Sequence, residues 1–466
     1  MDIRPRVILQ LVHEAVVDAG VNPTVFRGTN TGVFLGASGD GILSLSGRIS
    51  SAFGLKGPSQ TVENGSQDSS VALFNALQAL RSGSIEAAIV AGVQINPTPC
   101  PQVQLSPDGK CKPFDANANG IVPAEAAVVI YITSKDSAKR NYATLVNAGS
   151  NLSDSKTPTE QFLIKLYADS KISPGDVAYV EANGTGIKSD DQEEAHALAT
   201  ALSAGREGSL IIGSVKANVG HAGPAAGVVG LAKVLMFHRS SQVPQNVNFE
   251  SPNPHIPGLA DGRLSLTPKK GPFDGKYAAV NSIAKDGTNV HVILKLAPKE
   301  VVLMALPPVP VFVPISGRTS AGVEYQMRQT LNRIRNKHFV GMLHEAYKIN
   351  IPQHPFRGYV LSSRTESKQN IGNRLSGFIS PLWFIFTGLG NQWVGMTKDM
   401  VKFKTFNDSI QKSAKILKEK EGYDLLQVLE STDPAYLDDF KNSIAAITSV
   451  QIALMDLFNV IGIQPD

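Results

Sequence analysis

Apolar residues at 7, 8, 11, 12, 15 and 16 recur with the spacing of one helical face, so the chain is expected to open with an amphipathic helix. GVFLGA from Gly32 is a short continuous apolar run of the kind that forms a buried strand. A Gly/Ser-rich stretch follows, then a helix over 66–81 with Gly83 as its stop signal. AAIVAGV from Ala87 and AAVVIYI from Ala126 read as two further buried strands. The same alternation then returns: strand at ATLVNAG, helix over 160–168, strand at VAYVEA, helix over 192–202, strand at LIIGSV, helix over 225–237. Strands at YAAVNSI and VHVILKL close the segment. Alternating strands and helices predict an α/β architecture, and two similar halves meeting near Tyr142 predict a duplicated fold.

The proline-rich stretch around 307–310 reads as a junction between domains. A strand at VFVPIS, one long polar helix over 321–337 and a strand at RGYVLSS form a small α/β unit after it. From Ser380 the pattern changes again: a strand at LWFIFTG, a Gly-rich turn, then helices rich in Lys and Asp.

Composition narrows the function classes. The 466 residues suggest several domains, and 42% apolar with 18% charged residues is ordinary for a folded protein. A net charge of +4 gives no global signal for nucleic acid. The two cysteines, Cys100 and Cys111, exclude a disulfide framework and a multi-cysteine metal site, and their scarcity fits a reducing compartment. The charged start lacks the apolar core of a signal peptide, and no uncharged apolar run reaches the ~20 residues of a spanning helix. The expectation is a cytoplasmic protein with no membrane partner and no bound metal. Gly388 and Gly390 lack the lysine and hydroxyl of a phosphate loop, the GDG at Gly39 reads as a turn, and Lys269–Lys270 reads as a solvated pair.

Several segments, in order along nearly the whole chain, resemble animal fatty acid synthases and related polyketide synthases. SPDGKCKPFDANANG from Ser106, GSVKANVGHAGPAAG from Gly213, SPNPHIPGLADGRL from Ser251 and NSIAKDGTNVHVIL from Asn281 resemble the ketosynthase. FVPISGRT from Phe312 resembles the linker that follows it, and LWFIFTGLGNQWVGM from Leu382 the opening of the acyltransferase. The resemblance implies a thiolase-like layered αβαβα ketosynthase over 1–298 (N-half 1–140, C-half 141–298), missing its N-terminal part. A linker domain over 299–378 and the start of a malonyl/acetyl acyltransferase over 379–466 would follow. It also implies phosphopantetheine-linked acyl and malonyl thioesters as substrates, no bound cofactor, an acyl carrier protein as partner and a homodimer.

The same resemblance locates losses. A condensing thiolate sits at a helix N-terminus, where the dipole and free amides lower its pKa. The family's DTACSSS cysteine falls on Ser66, with Glu63 and Asn64 for the preceding Asp and Thr. As a serine at a predicted helix start, Ser66 reads first as an N-cap. A hydroxyl needs an adjacent general base to act as a nucleophile. The first family histidine, in EAHGTGT, becomes Asn183 in EANGTGI; Thr185 keeps the motif's threonine. Asparagine donates a hydrogen bond but carries no proton to a reaction. The lysine and second histidine persist as Lys216 and His221. Taken alone, His221 reads as a structural histidine after a glycine turn; the motif match makes it inherited.

The apolar GFGG gate becomes AKDG, with Lys285 and Asp286, ahead of Asn289. Either the charges disfavour an acyl chain, because burying charge costs several kcal/mol, or the loop is simply solvated. Gln392 in GLGNQ resembles a glutamine near the acyltransferase oxyanion hole. Cys111 reads as an inert loop thiol, and Cys100 has no matching role. Since losing the nucleophile of a triad enzyme costs about 10⁶ in rate, no useful condensation is expected.

Overall fold

The computed structural model describes residues 2–39, 44–63, 67–97, 103–152, 158–267, 270–284, 286–298, 310–363, 365–373 and 381–466. The chain divides into two compact units, Met1–Arg374 and Leu375–Asp466.

The first unit is built on two sheets. One has the order β2-β1-β3-β4, from β1 (Thr31–Ala37), β2 (Ser59–Val62), β3 (Ala87–Gln94) and β4 (Ala126–Thr133). The other has the order β5-β10-β9-β6-β7-β8, from β5 (Ala143–Leu152), β6 (Val177–Glu181), β7 (Leu210–Gly213), β8 (Leu264–Leu266), β9 (Tyr277–Ile283) and β10 (Thr288–Leu296). The apolar runs of β1 and β3 are buried on both faces, as continuous hydrophobic strands with parallel neighbours should be.

Helices α1 (Ile3–Asp18) and α2 (Leu45–Phe53) cover the outer face of the first sheet. Helices α4 (Thr159–Ser170) and α5 (Lys188–Leu202) cover the outer face of the second. Between the sheets lie α3 (Asp68–Arg81) and α6 (Ala226–Ser240), which share a core of Phe34, Leu73, Val90, Val228, Leu231, Val280 and Val292. The result is the five-layered αβαβα arrangement, with two sheets of related order.

Two glycines let the middle layer close. A Cβ on Gly36 of β1 would lie 2.2 Å from the Ser69 amide nitrogen and 2.6 Å from the Asp68 carbonyl carbon, so β1 meets the backbone of the first turn of α3. A Cβ on Gly227 would lie 1.7 Å from Ser70 Oγ, so α6 packs directly on the same turn. Gly36→Ala is therefore expected to cost roughly 2–4 kcal/mol, because the obstacle is backbone. Gly47→Ala, in exposed helix with nothing near its Cβ, should instead stabilise by up to about 1 kcal/mol. Urea unfolding of both variants checks the contrast; equal midpoints would contradict it.

The expected small α/β unit is present as an antiparallel sheet of β11 (Val311–Gly317), β12 (Phe356–Ser362) and β13 (Ser367–Asn373). The long helix expected over 321–337 is α7 (Ser320–Arg333), which ends four residues early, and a second helix that the sequence reading did not single out, α8 (Lys337–Tyr347), follows it. Asn336 starts α8 as its N-cap, its Oδ1 accepting the Phe339 N–H at 3.0 Å. Asn22 ties α8 to the N-terminal half, donating to the Ala346 and Ile349 carbonyls, both at 2.7 Å.

The second unit is helical among its described residues: α9 (Lys404–Glu421), α10 (Leu425–Glu430), α11 (Ala435–Asp438) and α12 (Phe440–Val460). The strand expected at LWFIFTG does not form; 381–388 is irregular, and Trp383 and Ile385 are 77% and 84% exposed. A strand needs a hydrogen-bonding neighbour, and among the described residues no strand in this unit offers one. α12 is long and apolar enough to cross a membrane by length and composition alone, but it packs Ala446 and Ala453 into the unit's core.

Candidate functional site

The site forms where the first turn of α3, the loop after β6 and the turns before α6 converge. α3 begins at Asp68, and the residue ahead of it, Gln67, holds a left-handed backbone with φ 63°. Ser66, the expected nucleophile position, lies outside the described residues. Gln67 is fully buried and its Nε2 donates to Asn183 Oδ1 at 2.6 Å. Sequence reasoning passed over Gln67; the signal available was only its place beside the helix start.

Asn183 follows β6. Its Oδ1 also accepts from Lys216 Nζ at 3.0 Å, its backbone carbonyl accepts from the same ammonium at 2.6 Å, and its Nδ2 donates to the Ile283 carbonyl at 3.2 Å. The carboxamide is thus tied on both ends. Lys216 opens the short helical turn Lys216–Val219 and is 3% exposed; burial lowers its pKa, opposed chiefly by the charge of Glu194.

His221 sits five residues on. Its Nδ1 accepts the Gly223 N–H at 3.0 Å, which assigns the ring proton to Nε2. Burial, then the Lys216 charge, pushes its pKa down to about 3, so the imidazole is neutral at physiological pH. The Gly223 carbonyl accepts from the Gln67 N–H at 3.4 Å, joining the histidine turn to the helix start. Gln67, Asn183, Lys216 and His221 therefore form one connected group.

Beneath it lies a network that the sequence reading missed. Glu194 of α5 accepts the backbone N–H groups of Asn183 and Gly184, each at 2.7 Å, and Asn281 Nδ2 at 2.6 Å. Asn281 Oδ1 lies 3.1 Å from His291 Nδ1, and His291 Nε2 lies 3.0 Å from Tyr167 Oη. One consistent assignment has Tyr167 donating to His291 and His291 donating to Asn281. Asp191, one helical turn before Glu194, accepts from the amides of Thr185, Phe114 and Gly186 at 2.7, 2.8 and 3.2 Å. Burial pushes its pKa up to about 7 against those bonds. Glu181 accepts from Tyr179 at 2.7 Å and the Val215 amide, and pairs with Lys233 at 2.8 Å.

Among the described residues, the other expected ones make no hydrogen bond with the Asn183, Lys216 or His221 side chains, and Thr185 meets the buried network through Asp191. Thr185 is a structural turn residue: its hydroxyl accepts the Ile187 N–H at 3.1 Å and its carbonyl accepts the Cys111 thiol at 3.3 Å. Burial pushes the Cys111 pKa up to about 12, which suits an inert thiol. Asn289 is fully buried in β10, with both side-chain polar atoms unpartnered among the described residues. Lys285, Lys269 and Cys100 lie outside the described residues. Asp286 is exposed and caps the Thr288 N–H at 2.9 Å, as a solvated turn would. Gln392 is in the second unit, accepting the Gly390 N–H at 2.8 Å and donating to Ser443 Oγ at 3.1 Å.

Four family models match the chain in succession: the beta-ketoacyl synthase N-terminal domain over 1–138, its C-terminal domain over 139–250, the ketoacyl-synthetase C-terminal extension over 252–361, and the acyl transferase domain over 383–466. A fatty acid synthase of Anser anser anser is 39% identical over 272 residues, covering 51% of this chain and 77% of that sequence. Erythronolide synthase EryA2 of Saccharopolyspora erythraea is 29% identical over the whole of this chain, which spans 15% of that protein's length. The ketosynthase from module 6 of the bacillaene synthase of Bacillus subtilis 168 superposes with a TM-score of 0.68 at 27% identity, covering 78% of this chain and 69% of that one. The fold is that of a thiolase-like ketosynthase, followed by a linker and part of an acyltransferase. The chain belongs to the fatty acid synthase and polyketide synthase family, as its ketosynthase–acyltransferase region.

Proposed function

We propose that this ketosynthase does not condense acyl and malonyl thioesters and serves instead as a scaffold, or as a docking surface for an acyl carrier protein, within a cytoplasmic, homodimeric synthase of fatty acid biosynthesis. The observation that carries the reading is Asn183. At the position where the family resemblance puts a proton-carrying imidazole, a carboxamide is held by Gln67, Lys216 and the Ile283 carbonyl. It has no titratable proton, and both of its ends are engaged. Ser66, in the cysteine's place, supplies a hydroxyl where a thiolate is required. In this reading phosphopantetheine-linked chains arrive on the carrier protein and leave unextended.

The test is incubation of the purified chain with malonyl- and acyl-loaded carrier protein. No β-ketoacyl product above a buffer blank is expected. Steady product formation that His221→Ala abolishes would overturn the proposal.

A second reading is supported by the neutral His221, whose Nε2 retains its proton. Such a donor, with Lys216 near it, could still stabilise an enolate oxygen, giving residual decarboxylation or acyl transfer onto Ser66. Carbon dioxide release without β-ketoacyl product, lost in His221→Ala, or an acyl-Ser66 adduct by mass spectrometry, would favour it over a purely structural role.

A further inference from the structure

The turn that opens α3 belongs to the first half of the duplicated fold, residues 1–138, and it is bonded to the second. Gln67 Nε2 donates to Asn183 Oδ1 at 2.6 Å, and the Gln67 N–H to the Gly223 carbonyl at 3.4 Å. Ser69 Oγ accepts the Val228 N–H at 3.3 Å, and Ser70 Oγ donates to Ser282 Oγ of β9 at 2.8 Å. Asn183, Gly223 and Val228 lie in residues 139–250, and β9 lies in the sheet of that second half.

The bond to Asn183 differs from the others in what it has to hold. Gln67 carries a Cβ, yet its backbone is left-handed, with φ 63° and ψ 15°. That conformation disfavours every residue except glycine and persists where the surroundings over-determine it. Among the described residues, the side chain of buried Gln67 has one hydrogen bond to set against this strain, the one to Asn183. At the other end, Asn183 Oδ1 has two lone pairs and uses both, one for Gln67 Nε2 and one for Lys216 Nζ at 3.0 Å. A neutral imidazole at 183 would offer a single acceptor nitrogen to these two donors. The motif DTACSSS has serine where this chain has Gln67, and EAHGTGT has histidine where it has Asn183. Each departure supplies the partner of the other.

We propose that Gln67 and Asn183 act as a pair that fastens the two halves across the former reaction centre, the side-chain bond offsetting the strain of the left-handed turn. The inference rests on the reading that condensation has been given up, since neither carboxamide carries a proton to a reaction. It adds that the altered site contributes to the stability of the fold.

Urea unfolding of the whole chain tests it without measuring turnover. Gln67→Gly separates backbone from side chain by sign. If strain alone matters, glycine at φ 63° stabilises the chain. If the bond to Asn183 holds the turn, the unfolding equilibrium constant instead rises about fivefold or more, which is the expected result. A double-variant cycle pairs Gln67→Met, similar in length but without the donor, with Asn183→Ala. The combined variant should unfold less readily, by about fivefold or more, than the product of the single effects predicts. Gln67→Met with Ser282→Ala, whose hydroxyl meets Ser70, should combine within about twofold of that product. Three results would overturn the proposal: Gln67→Gly at least as stable as the parent, a Gln67/Asn183 cycle that is additive, or equal coupling in both cycles. Where Asn183→Ala does not fold, Gln67→Gly alone decides. Additive constants would leave the absence of condensation standing, whereas β-ketoacyl product from the parent chain would refute that absence and leave these constants unchanged.

Discussion

Glu194→Ala is expected to remove about 3–5 kcal/mol of folding free energy, the cost of leaving a buried charged network without one partner. Three donors, the amides of Asn183 and Gly184 and the Asn281 carboxamide, lose their acceptor together. Each such buried orphan costs about 1–3 kcal/mol before relaxation. Lys216 also loses the carboxylate that most opposes the effect of burial on its pKa. Glu194→Gln keeps one acceptor oxygen but turns an N–H₂ toward donors, so it should fall between the variant and the parent. Urea unfolding at pH 7 ranks the three. A Glu194→Ala midpoint equal to that of the parent would mean the network carries no stability, and that Asn183 and Lys216 are held by packing alone.

The same residue shows where the sequence reading stopped. In KSDDQEEAHALATAL four acidic side chains look like the solvated face of a helix. Asp191 and Glu194 nevertheless share a stripe with Leu198 and Leu202, at spacings of three, four and four, and that stripe is buried. Acids on an apolar stripe were a signal available in the sequence. Strands β1, β3, β4, β5, β6, β7, β9 and β10 were legible because buried strands write continuous apolar runs, whereas the three-residue β8 was passed over. The same rule failed at 382–388, since an apolar run does not reveal whether a neighbour exists to pair with it. Helix α2, with its glycine and four serines in and just before it, and the exposed β2 carried too weak a pattern to be noticed. Asn183, Lys216 and His221 were found only through motif resemblance. Asn183 is placed against Lys216 and Gln67 by contacts across 33 and 116 sequence positions, which no local pattern encodes.

Acidity should separate two buried populations in this network. His291 is fully buried and uncharged, with its pKa pushed down to about 3 by burial, against an ordinary 6.5. Below pH 6.5 the unfolded chain takes up a proton there that the folded chain refuses, so stability falls as pH drops toward 3. His221 acts with the same sign. Asp191 acts with the opposite sign: its pKa rises from 3.8 to about 7, so between those values the folded chain holds a proton that the unfolded chain has lost. Its contribution is largest at low pH and is lost as pH rises through 7. Buried Glu194, also raised, adds to that side. In the parent the two populations offset one another, and single variants should expose each. Between pH 6.5 and 4.5, Asp191→Asn is expected to lose roughly 3 kcal/mol more than the parent, at about 1.4 kcal/mol per pH unit for one proton. His291→Gln, which can keep both hydrogen bonds, should lose roughly 3 kcal/mol less over the same interval. Urea unfolding free energies at pH 4.5, 5.5 and 6.5 measure both slopes. Parallel slopes for all three proteins would mean that these side chains are hydrated in the folded state, and that the histidines and carboxylates under Asn183 do not form a closed network.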